Sequence, residues 1–136
     1  MIFLDTSYVI ALVHAPDPYH QRAVELGDLI ASRGTSCLLH LGIIMEVGDG
    51  FARQDRRSKG MQLIDRFLGE PGYEVAPLTE ELRRLAIDLY RSRPDKSWGL
   101  TDCLSFVLMT ERGIEEALTS DSHFEQAGFR ALLLEE

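Results

Sequence analysis

The chain has 136 residues, 45% hydrophobic and 26% charged, enough to bury one continuous core and too apolar for a disordered segment. No apolar stretch approaches the roughly 18 residues of a membrane span, and the first residues lack the basic region of a secretory leader, so a soluble cytoplasmic protein with no membrane partner is expected. The formal net charge of −8 argues against a general polyanion binder, but it is uneven: residues 53–96 hold ten Lys and Arg against eight acids, a net of +2, and the rest holds four against fourteen, a net of −10.

The first element predicted is a short buried strand, "IFLD", ended by Asp5. Val9, Leu12 and Val13 then line a helix that stops at Pro16, and Ala23, Leu26, Leu29 and Ile30 mark a second helix closed by Gly34. "SCLLHL" reads as a strand, and "GIIMEVGDGFARQ" as a helix in spite of Gly48 and Gly50, each of which costs about 1 kcal/mol relative to Ala in a helix interior. "KGMQLIDRFLG" is a further helix, "YEVAPL" a third strand ended by Pro77, and "TEELRRLAIDLYRSR" a helix with Thr79 at its cap. "LTDCLSFVLMTERG" is a helix closed by Gly113, and "EALTS" and "RALLL" are short strands around "DSHFEQAG". Strands that alternate with helices imply a parallel sheet covered on both faces, in a single domain over 1–136. Cys37 and Cys103 form no metal motif and read as small buried residues of a reducing compartment.

In such folds ligands gather beyond the carboxyl ends of the strands. Asp5 and Asp121 each follow a predicted strand on that edge, and Asp102 lies in a first helical turn close to it. Asp102 alone could complement a helix dipole, and Asp121 alone could cap a short helix. Glu46 sits among Ile43, Ile44, Met45 and Val47 with no Lys or Arg within four positions, so its charge would be costly unless paired or hydrated. Four carboxylates together would repel, at roughly 4 kcal/mol per pair 4 Å apart for an effective dielectric of 20. A divalent cation relieves that repulsion, and all-oxygen ligands select Mg2+ or Mn2+ over zinc. The usual work of such a site is in-line displacement at a phosphate.

The succession "FLDTSYVIAL", "IIMEV", "LTDCLSFVLMTERG" and "ALTSDSHFEQAGF" resembles the PIN domain, in particular its small stand-alone bacterial members, the VapC-type toxins of toxin–antitoxin pairs. The resemblance covers nearly the whole chain. It implies a three-layer α/β/α fold on a five-stranded parallel sheet and a Mg2+-dependent endoribonuclease, with Mn2+ as the substitute cation. Asp5, Glu46, Asp102 and Asp121 would then be the catalytic, metal-binding quartet, and Ser7 and Ser120 its polar support. The implied partners are single-stranded or structured RNA, an antitoxin protein and a second copy of the chain. The sequence departs from the family pattern where Leu39 and His40 replace a Thr pair, and where Ser122 and His123 follow Asp121 in place of another acid. His123 reads as a local hydrogen-bonding residue, and Asp49 as a solvated one.

Rival readings fit less well. An aspartyl-phosphate enzyme or a receiver domain wants a late Lys, whereas the last here is Lys96, and the phosphatase also wants an acid where Ser7 stands. A housekeeping RNA-processing enzyme would use the same residues, and a catalytically silent binding module would keep the carboxylates without a substrate groove. For RNA, the basic residues Arg53, Arg56, Arg57 and Lys59 follow Glu46 within about three and a half turns of a straight helix, placing them along the path of a bound strand.

Overall fold

The computed structural model describes residues 1–135. Five strands, β1 (Ile2–Leu4), β2 (Cys37–His40), β3 (Tyr73–Ala76), β4 (Glu116–Leu118) and β5 (Arg130–Ala131), form one sheet in the order β3-β2-β1-β4-β5. Every neighbouring pair is parallel. The helices are α1 (Thr6–Val13), α2 (His20–Arg33), α3 (Leu41–Gly50), α4 (Arg57–Gly69), α5 (Glu80–Ser92), α6 (Leu100–Arg112) and α7 (Ser122–Gln126). No helix among the described residues is long and apolar enough to cross a membrane.

The central strands are buried end to end, which is why they read as continuous apolar runs and not as alternating ones. Phe3, Leu4, Leu38, Leu39 and Leu118 form the middle of the core, and Phe124, Leu108 and Met109 pack with them. The chain runs outward from β1 through β2 to β3, then returns across the sheet to β4 on the other side of β1. Strand order therefore reverses between β1 and β4. The register pairs Leu4 with Leu118, so the residues that follow, Asp5 and Thr119, leave the sheet side by side at its carboxyl edge.

Several boundaries differ from the sequence expectation. The helix expected to run from Gly42 to Gln54 stops at Gly50, and Phe51 closes it with its N–H bonded to the Val47 carbonyl. Two glycines in the last turn weaken further propagation. The chain folds back there so tightly that a Cβ at Gly60 would lie 2.8 Å from that of Phe51. "RALLL" yields a strand of two residues because Leu132–Leu134 turn away from the sheet edge. "EALTS" ends as a strand at Leu118, which frees residues 119–121 for the carboxyl edge.

Candidate active site

Asp5 sits at the reversal point, 7% exposed. It precedes α1 in the N-cap position but its carboxylate does not cap the helix. Instead Oδ2 accepts hydrogen bonds from the Ser7 hydroxyl at 2.8 Å and the Thr119 hydroxyl at 2.7 Å. Each hydroxyl has one proton to give, and both point at Asp5. Their oxygens accept in turn from the backbone, Thr119 from Asp121 N–H and Ser7 from Ser120 N–H, each at 3.0 Å. This chain of bonds ties the ends of β1 and β4 to one carboxylate. Burial pushes the Asp5 carboxyl up to about 6; the two hydroxyls oppose that shift, and the nearby charges of Glu46 and Asp121 add to it.

Asp121 caps α7 by accepting the His123 N–H at 2.9 Å. Asp102 lies in the first turn of α6, where its Oδ2 accepts the Gly99 N–H at 3.0 Å, half of a capping box. The Asp102 carboxyl is raised, chiefly by burial and further by the charge of Asp121, while the Gly99 bond and the neighbouring His123 ring oppose the shift. Asp121 thus acts electrostatically on both Asp5 and Asp102. Glu46 is exposed, contrary to the cost inferred from its neighbours. Ile43 and Val47 face the core, and helical periodicity carries Glu46 to the outer face, where its Oε1 accepts the Thr6 hydroxyl at 2.8 Å. Among the described residues no Lys or Arg forms an ion pair with any of the four acids.

Two residues play parts that sequence reasoning misses. The support expected from the Ser120 side chain comes from its backbone N–H, and the second hydroxyl on Asp5 belongs to Thr119. The signal for Thr119 is the alignment of the two strand ends, which sets the residue after β4 beside the residue after β1. His123 is expected to be a local hydrogen-bonding side chain, yet its Nδ1 is buried without a hydrogen-bond partner. It lies 3.3 Å from both Asp102 Oδ2 and Asp121 Oδ1, and neither contact has the geometry of a hydrogen bond. An orphaned buried nitrogen costs about 1–3 kcal/mol. Donor atoms of Asp102, Asp121 and His123 all fall within 4.8 Å of one another, a set that fits a divalent cation.

The sequence model for the PIN domain matches residues 2–130. The chain belongs to the PIN domain family. This PIN domain is similar to the crystal structure of Mycobacterium tuberculosis VapC20, a sarcin–ricin loop cleaving toxin, with 25% identity, a TM-score of 0.84, and 95% of this chain and 96% of that one covered. FitAcB from Neisseria gonorrhoeae shares the fold at 20% identity and a TM-score of 0.70, covering 96% of this chain and 95% of that one. No curated protein matches by sequence. These likenesses support a nuclease.

The basic residues of the PIN domain do not lie on a straight continuation of α3. Arg53 and Arg56 occupy the turn after it, and Arg57 and Lys59 open α4, all exposed. Arg53 pairs with Asp55, and Arg57 donates to the Ala52 carbonyl at 2.9 Å.

Proposed function

We propose that this nuclease is a divalent-cation-dependent endoribonuclease, the toxin of a toxin–antitoxin pair, acting as a single domain and as a homodimer in the cytoplasm. One observation carries the reading. Asp102 and Asp121 offer donor atoms within 4.8 Å of one another, the buried Asp5 lies within electrostatic reach of Asp121 and Glu46, and among the described residues no Lys or Arg pairs with any of the four. Such a set favours bound positive charge. RNA as substrate is supported by the likeness to VapC20, a toxin that cleaves the sarcin–ricin loop.

In this reading Asp5, Asp102 and Asp121 hold Mg2+ or Mn2+, and Glu46 completes the negative rim. A cation bound there supplies Lewis acidity to a phosphate oxygen and a more acidic water. The protein's own share is positional. Ser7 and Thr119 fix the Asp5 carboxylate, the Gly99 N–H fixes Asp102, and the Thr6 hydroxyl fixes Glu46 toward solvent. Glu46, as the exposed member, is the acid placed to take a proton from an attacking water.

Purified protein incubated with a structured ribosomal RNA fragment and Mg2+ or Mn2+ should cut at discrete positions. EDTA should abolish the cuts, and so should Asp5→Asn or Asp102→Asn. Cleavage that survives exhaustive chelation or both substitutions overturns the reading. Growth arrest on expression, relieved by a neighbouring antitoxin gene, separates a toxin from a processing enzyme.

A further inference from the structure

We infer that His123 is a ligand of the cation held by Asp102 and Asp121, and that it turns this site toward Mn2+ over Mg2+; the inference rests on the metal-dependent reading above and refines which ion the site takes. The observation is the orphaned ring nitrogen. Among the described residues, Nδ1 of His123 is the one buried side-chain polar atom without a hydrogen-bond partner. Two carboxylate oxygens lie 3.3 Å away, and neither contact has the geometry of a hydrogen bond. A histidine serving as a local hydrogen-bonding residue would turn its ring toward one of them. The His123 nitrogen instead stands at the same distance from both.

That geometry is what ligands of one ion have. Neighbouring ligand atoms around an octahedral ion with bonds of about 2.1 Å stand about 3.0 Å apart, and they face the ion and not each other. The ring is held in place from two sides. The backbone N–H of His123 donates to Asp121 Oδ1, which fixes the start of α7, and the next residue, Phe124, is fully buried against Phe3 and Phe106. Asp121 is thus linked to the same residue through the backbone and through the shared space before its ring.

The donor set decides the ion. Mg2+ prefers oxygen ligands and water, whereas an imidazole nitrogen strengthens binding of first-row transition ions. Two carboxylates and one imidazole therefore gain more for Mn2+ than for Mg2+. The fully oxygen-based preference expected from the four acids alone is shifted by a residue that stands where another acid is expected.

Electron spin echo spectroscopy of Mn2+ bound to the intact protein tests this without any reaction. The wild type should show nitrogen modulation of a directly bound imidazole, changed by 15N-histidine labelling and absent in His123→Ala. In competition titrations, that substitution should weaken Mn2+ binding by about tenfold and Mg2+ binding by much less. Mn2+ that binds the wild type without nitrogen coupling overturns the inference, as does equal loss of both ions in a variant shown by circular dichroism to be folded. Metal-dependent RNA cleavage with no nitrogen coupling would sink the role of His123 and leave the nuclease intact. Nitrogen coupling in a protein that cuts no RNA would do the reverse.

Discussion

His40 Nε2 lies 2.8 Å from Ser105 Oγ, both side chains fully enclosed. The Ser105 hydroxyl donates to the Thr101 carbonyl at 3.0 Å, so it accepts from His40, and the other ring nitrogen accepts the Gly42 N–H at 3.0 Å. The imidazole is thereby fixed as the neutral Nε2–H tautomer. It caps α3, the helix of Glu46, and grips α6 one turn beyond Asp102. Where the family pattern has a Thr pair, this chain has a ring long enough to join two of the helices that carry the site.

Removing one end of that bridge leaves a buried group unpaired. Ser105→Ala should cost about 1–3 kcal/mol in denaturant unfolding. Gly42→Ala should be at least as harmful, because its Cβ would fall 2.7 Å from His40 Cε1 and 3.2 Å from Thr101 Cγ2. Little change in either variant would mean that the bridge is dispensable.

Two buried groups titrate in opposite senses. Burial holds the His40 imidazole down at about 4, so its share of stability is present above the ordinary 6.5 and lost as pH falls through 4. Burial raises Asp5 to about 6, so its share is present below the ordinary 3.8 and lost as pH rises through 6. Each amounts to about 3 kcal/mol, and the two largely cancel between pH 4 and 6. In chelator, Asp5→Asn should remain folded, keep both hydroxyl bonds, and gain on the wild type as pH rises from 4 to 7. Unfolding curves across that range give the difference directly; a constant difference would contradict the raised pKa of Asp5.

Thr119 holds one carboxylate by its hydroxyl and another residue's backbone by its oxygen. Thr119→Val keeps the shape and removes both bonds, so it should cost about 2 kcal/mol. RNA cleavage should fall roughly tenfold through misplaced carboxylates. Thr119→Ser should restore both. Equal behaviour of the two variants would show that methyl packing, not the hydroxyl, is what matters.

RNA affinity should depend on the turn after α3. Every cationic side chain withdrawn from a phosphate of a single strand flattens the log–log salt dependence of binding by about 0.7. Arg56→Gln with Arg57→Gln should weaken binding of a short RNA, measured with Ca2+ to limit cleavage, and flatten that slope while metal affinity holds. An unchanged slope would assign these arginines to solvent or to a protein partner.

Most of the architecture is legible in the sequence because buried parallel strands are uninterrupted apolar runs and the helices between them carry caps and glycine stops. "CLLH" and "LTDCLSFVLMTERG" need no tertiary knowledge. Asp5 and Asp121 can be placed from strand ends alone. Thr119 cannot, since its role depends on strand register, and His123 cannot, since only three-dimensional geometry shows a ring nitrogen without a bond. Glu46 misleads for a simpler reason: apolar neighbours in sequence do not share its side of a helix. The turn at 51–56 depends on Gly60 lying against Phe51, a contact with no local signature.

The link between Asp5 and Thr119 spans 114 positions. The floor of the site is made long before its clamp, and β1 waits unpaired on the β4 side until β4 follows. Until residue 121 emerges, the growing polypeptide carries Asp5 and Glu46 without Thr119 or Asp121. Any stretch of the chain that stops short of residue 121 therefore holds an unfinished centre, and the site exists only once the ends of β1 and β4 have met.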